Sequence, residues 1–101
     1  MSGPAARASE IAPGTMRKVV VDDEAILICN VNGSFYAIED VCTHDGGNLD
    51  LGTLEGDQIE CPRHGARFDV RTGAVVMLPA IEPVRSYRVR VEGDEIFVET
   101  G

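Results

Sequence analysis

Apolar and polar residues alternate with a period of two along much of the chain, and short runs of Gly, Asn and Asp interrupt the alternation. That period is the signature of strands with one buried face. Residues 15 to 21 end in the β-branched run Lys18-Val19-Val20-Val21, and Asp22-Asp23-Glu24 reads as the turn that closes it. Residues 25 to 31 are apolar and β-rich, Asn32-Gly33 supplies the positive φ angles of a tight hairpin, and residues 34 to 38 make the returning strand. A small hairpin is predicted over residues 53 to 59, with Glu55-Gly56-Asp57 at its tip. Phe68-Asp69-Val70 reads as a strand, Arg71-Thr72-Gly73 as a turn, and residues 74 to 77 as the strand back. Tyr87, Val89 and Val91 alternate with Arg88 and Arg90, Gly93-Asp94 turns, and Ile96 and Val98 alternate with Glu95, Phe97 and Glu99, which predicts a closing hairpin with one buried face. No long stretch carries a 3.6-residue apolar period, so the predicted fold is all-β, a small antiparallel sandwich or barrel. Residues 1 to 9 are small and polar and predict a flexible tail, leaving residues 10 to 101 as a single domain.

Composition narrows the functional classes. Charged residues make up 26% of the chain and hydrophobic ones 44%, which argues against disorder. No apolar run approaches the roughly twenty residues of a membrane helix, and the N-terminus lacks the basic start and apolar core of a signal peptide. The expectation is a cytoplasmic protein with no membrane partner. A formal net charge of -8 makes nucleic acid a poor partner, because phosphate binding needs clustered Lys and Arg. Seven acidic residues and no basic one lie between positions 39 and 60. Three cysteines cannot pair completely, and two of them stand beside histidines, so a disulfide framework is not expected.

The chemistry concentrates in residues 42 to 64. Cys42-Thr43-His44 and Cys61-Pro62-Arg63-His64 each present one thiol and one imidazole from a tight loop. Thiolate with imidazole suits zinc or iron-sulfur chemistry. A Cys2His2 count fits tetrahedral zinc, but zinc sites usually open with two cysteines close together. Mixed loops suit a binuclear cluster, each loop supplying one ligand to each metal. A catalytic thiol activated by a neighbouring His would leave half of the set unused. Cys29 lies inside a predicted strand on the apolar face of Leu27 and Val31 and reads as a small buried hydrophobe, not a ligand.

These residues resemble the Rieske iron-sulfur proteins, whose motif is C-x-H, a spacer, then C-x-x-H, with Pro after the second Cys and Gly after the second His; Pro62 and Gly65 stand there. The likeness extends over residues 37 to 41, 68 to 73, Pro79-Ala80 and the closing hairpin, and is strongest to the small Rieske-type ferredoxins of bacterial multicomponent ring-hydroxylating oxygenases. The resemblance implies a Rieske fold with a cluster-binding loop subdomain and one [2Fe-2S] cluster. Cys42 and Cys61 would ligate the inner iron, and His44 and His64 the outer one. Leu78-Pro79-Ala80 would be the proline loop over the cluster. It implies an electron carrier and not an enzyme, with a flavin-dependent ferredoxin reductase and a terminal oxygenase as partners. The alternatives are an accessory subunit of a larger redox enzyme such as nitrite reductase, or a zinc-stabilised interaction module. Respiratory members carry two further cysteines and Ser and Tyr hydroxyls beside the cluster. Here Gly47, Arg63, Ala66 and Phe68 occupy those positions. Fewer hydroxyl donors predict a potential toward the low end of the Rieske range of roughly -150 to +300 mV.

Overall fold

The computed structural model of the chain describes residues 3–43, 47–62, 65–78 and 82–100. Ten strands run in the order β1 (Ala6–Arg7), β2 (Met16–Val21), β3 (Glu24–Val31), β4 (Ser34–Glu39), β5 (Thr53–Glu55), β6 (Gln58–Glu60), β7 (Arg67–Asp69), β8 (Val75–Met77), β9 (Ser86–Glu92) and β10 (Glu95–Glu99). The only helical element among the described residues is a 3-10 turn at Ala8–Glu10. A six-stranded antiparallel sheet has the order β1-β10-β9-β4-β3-β2, and a four-stranded one has the order β5-β6-β7-β8. The first is the nearly closed, barrel-like body, and the second carries the loop subdomain.

Turn chemistry sets the register of the large sheet. Val31 pairs with Ser34 across Asn32 (φ 52) and Gly33 (φ 93), and Val21 pairs with Glu24 across Asp22 (φ 51) and Asp23 (φ 66). Both are two-residue hairpins with left-handed central residues, which match the twist of the strands they join. The Asp-Asp turn is the rarer solution. Short polar side chains tolerate that region, and Thr100 Oγ1 donates to Asp22 Oδ2 at 2.5 Å.

β3 carries two cores at once. Ile26 and Ile28 point into the barrel with Ile11, Val21, Ala37, Tyr87, Ile96 and Val98, whereas Leu27 and Cys29 point the other way, onto a core shared with Ile38, Leu49, Ile59, Phe68 and Val70. All four β3 side chains are 0% exposed. The closing hairpin buries Tyr87, Ile96 and Val98, but Val91, expected on the buried face, is exposed near the hairpin tip.

The segment expected to be a loose tail is tied down over residues 5 to 9. Ala6 and Arg7 pair with Ile96 and Glu95, the Ala8 N–H donates to the Asp94 carbonyl, and Ser9 donates to the Asp94 carboxylate from both its N–H and its hydroxyl. These bonds use backbone and one carboxylate, so small polar residues suffice to make them.

Candidate metal centre

The two motif cysteines occupy matching positions. Cys42 follows β4 on the connection between the sheets, and Cys61 follows β6 in the loop that joins it to β7. The Cys42 N–H donates to the Gly47 carbonyl at 2.7 Å, and the Cys61 N–H donates to the Ala66 carbonyl at 2.7 Å. Each cysteine thus opens a six-residue loop closed by the same bond, from the first residue to the sixth. The Gly65 N–H adds a bond to the Cys61 carbonyl at 3.1 Å. Gly65 has φ 76, a left-handed angle in the turn after the motif.

Both cysteines are thiols, 0% and 1% exposed, in one core with Leu49, Ile59, Ala66 and Phe68. His44 and His64 fall between the ends of the two loops in sequence and lie outside the described residues; Asp45, Arg63, Pro79 and Ala80 also lie outside them. The described half of the donor set fits a cluster. Two soft thiol donors, one opening each loop, are buried in one apolar core, as a thiolate-bound cluster requires.

Bonds from outside fix the first loop. The buried Asp40 carboxylate accepts the N–H groups of Leu49 and Asp50 at 2.8 and 2.9 Å. Thr43, between Cys42 and His44, donates its hydroxyl to the Glu82 carbonyl at 2.6 Å and ties the loop to the segment leading into β9. Gly52 lies so close to the Glu60 carbonyl that a side chain there would collide with it, which sets the chain entering β5 against the residue before Cys61. None of these roles was read from the sequence. Asp40 reads as one more member of an acidic run, although its parity with Ile38 puts it on the core side of the strand.

The acidic run is partly neutralised from within. Arg67 lies 2.5 Å from Glu55 and 3.7 Å from Glu60, Arg71 lies 3.2 Å from Asp57 and 2.8 Å from Asp69, and Lys18 lies 3.2 Å from Asp40. The Arg71 guanidinium hydrogen-bonded to Asp69 holds that carboxyl below its usual range. Cys29 is buried in the same core as the motif cysteines, closer company than its strand position suggests. Burial pushes its thiol up to about 12, so it packs as a neutral hydrophobe.

An all-β body with two equivalent Cys-based loops, one on the connection between the sheets and one within the small sheet, defines the class. The chain belongs to the Rieske [2Fe-2S] domain family, whose model matches residues 2–88. Its cofactor is one Rieske-type [2Fe-2S] cluster. The chain is 44% identical over 90 residues to the ferredoxin component of biphenyl 2,3-dioxygenase from Rhodococcus jostii (strain RHA1), covering 89% of this chain and 84% of that protein. It is 40% identical over 94 residues to the ferredoxin component of the p-cumate 2,3-dioxygenase system of Pseudomonas putida, covering 91% and 80%. Among solved structures, the ferredoxin of carbazole 1,9a-dioxygenase from Nocardioides aromaticivorans IC177 superposes with a TM-score of 0.90 at 40% identity, covering 96% of this chain and 97% of that one. A ferredoxin seen in complex with its oxygenase in carbazole 1,9a-dioxygenase superposes at 0.88 with 41% identity, covering 94% and 89%. The chain is an electron-transfer component and not a catalytic subunit.

Proposed function

We propose that this protein is a soluble, cytoplasmic ferredoxin that takes single electrons from a flavin-dependent ferredoxin reductase and delivers them to a terminal ring-hydroxylating oxygenase in aromatic hydrocarbon catabolism. Cys42, His44, Cys61 and His64 are its cluster ligands, and the chain acts as one cluster-binding domain. The observation that carries the ligand assignment is the pair of six-residue loops, each opened by a buried cysteine, each closed by the same N–H to carbonyl bond, and each containing one motif histidine. When bound, the cluster supplies reversible one-electron chemistry. The rest is the work of the chain. Cys42 and Cys61 anchor from the core side, Thr43 and Asp40 hold the first loop, and the apolar core of Leu49, Ile59 and Phe68 keeps water from the thiolates. With all four donors supplied by the protein, no coordination position is left for a substrate, which suits a carrier.

The test is chemical analysis with spectroscopy. The purified protein should be red-brown and contain two irons and two inorganic sulfides per chain. His44→Ala and His64→Ala should each lose or rearrange the visible and paramagnetic spectra, while Cys29→Ala leaves them intact. One zinc with no sulfide, or a spectrum lost on changing Cys29, would overturn the ligand assignment. The relatives are named for dioxygenase systems, and one is seen bound to an oxygenase, which supports the partner assignment. Its check is reduction of the protein by a ferredoxin reductase followed by reoxidation on adding a ring-hydroxylating oxygenase.

A further inference from the structure

Asp40 is a carboxylate enclosed in the protein two residues before Cys42. Its side chain is 0% exposed. Oδ1 accepts the N–H groups of Leu49 and Asp50, and the Asp40 N–H donates to the Ala25 carbonyl at 3.0 Å. Oδ2 lies 3.2 Å from Lys18 Nζ, the ammonium of the one lysine in the sequence. Charge is rarely enclosed this way without a partner.

Strand register explains how residues so far apart in sequence meet. Lys18 on β2 pairs with Leu27 on β3, and Leu27 pairs with Ile38 on β4. Cross-strand partners point to the same face. Leu27 and Ile38 belong to the core that contains Cys42 and Cys61, so Lys18 stands on the side of the sheet that faces the ligand loops. Asp40, two residues beyond Ile38, continues that row. Its carboxylate then grips the chain where it leaves the first loop, at residues 49 and 50.

We infer that Asp40 and Lys18 form a positioning and charge-setting pair for the cluster: Asp40 fixes the first ligand loop, and Lys18 cancels the negative charge that this places beside it. The inference rests on the ligand assignment proposed above. Reduction adds one negative charge at the loops. A carboxylate left without its ammonium opposes that charge, and an ammonium left without its carboxylate favours it. The two single charge removals must therefore shift the redox equilibrium in opposite directions, which loss of packing would not do.

The experiment uses the cluster-loaded full chain and protein-film voltammetry, with paramagnetic resonance to check that the cluster is intact. Lys18→Met should lower the ratio of reduced to oxidised protein at a fixed potential by about threefold or more, about 28 mV at roughly 59 mV per tenfold. Asp40→Asn should raise it by a similar factor. The double variant should return close to the parent, and Lys18→Arg should match it. Shifts of the same sign in both single variants, no shift in either, or a double variant that fails to cancel would overturn the inference. Should Asp40→Asn fail to hold a cluster, the positioning role is supported and Lys18 decides the rest in the native protein. Acetylation of the lone lysine removes its charge and should lower the potential, whereas reductive methylation keeps the charge and should not. An unchanged potential with Lys18 fully acetylated overturns the charge-setting role. A parent chain that assembles no [2Fe-2S] spectrum would instead overturn the ligand assignment on which the pair depends.

Discussion

At the scale of single residues, Ala66 and Phe68 stand where a hydroxyl would matter most. Both are 0% exposed, they share a core with Cys61, and the Ala66 carbonyl already accepts the Cys61 N–H. A hydroxyl introduced there meets no water, and where it reaches a thiolate or a cluster sulfur it becomes a donor to it. Such a donor stabilises the reduced state more than the oxidised one. Ala66→Ser and Phe68→Tyr should each raise the potential by some tens of millivolts, a fraction of a charge-assisted bond of about 1.5 to 3 kcal/mol. Voltammetry of the two variants checks it; a downward shift with an intact cluster would assign control of the potential to other donors. Cys29 gives a second expectation. Its folded-state pKa is raised from 9.0 to about 12, and that of Tyr87 from 10.0 to about 12, the latter by burial first and then by its hydrogen bond to Glu24. A raised pKa means that the unfolded chain ionises first, so the stability these groups contribute is whole below pH 9 and is lost progressively as pH rises toward 12. Cys29→Ala removes one of the two groups, so the melting temperature of the apo-protein should fall less steeply above about pH 9 than that of the parent. Parallel slopes would show that the thiolate reaches water in the folded state.

Among the elements, glycine contacts hold the two sheets in register with the loops. A Cβ on Gly52 would collide with the Glu60 carbonyl, and one on Gly73, where φ is 84, would collide with the Val84 carbonyl. Gly33 also has a positive φ, 93, but opens onto empty space. Gly52→Ala and Gly73→Ala should each destabilise the protein by about 2 kcal/mol or more, against about 1 kcal/mol for Gly33→Ala. Only Gly52→Ala, beside Cys61, should also speed cluster loss on dilution. Denaturant melts and the decay of visible absorption separate the three. Most hairpins were legible in the sequence because alternation and turn dipeptides are local signals; the Asn32-Gly33 turn falls where the sequence puts it. The motif cysteines were legible for the same reason. Burial of β3 on both faces was not, because an apolar run of this length does not say how many sheets cover it. Nor was β1, whose two residues are held by backbone bonds to a strand some ninety positions away. Asp40 was missed because a charge is ordinarily a surface residue, and its counter-charge lies on a strand that only the pairing brings near.

For the whole molecule the governing quantity is the net charge of -8. Arg67, Arg71 and Lys18 each take up acids of the run around the ligand loops, so the local field is weaker than the sequence suggests, while the overall charge remains. Association with a basic partner should therefore slow by several-fold to about tenfold as ionic strength rises from roughly 0.01 M to 0.15 M, over which the screening length falls from about 30 to 8 Å. Stopped-flow electron transfer measures this directly. A rate independent of salt would show that the acids only solvate the surface.

β3 has a further consequence, in the language of solvent exchange. Its side chains fill both cores, and its backbone is hydrogen-bonded to β2 on one side and β4 on the other. No partial opening can expose the barrel interior or the ligand-loop core without disturbing the strand that belongs to both. The amides of Leu27, Ile28 and Cys29 should thus exchange with deuterium only through complete unfolding. The two halves of the protein should lose protection in one transition, so that the ligand-loop core and the barrel unfold as a single event.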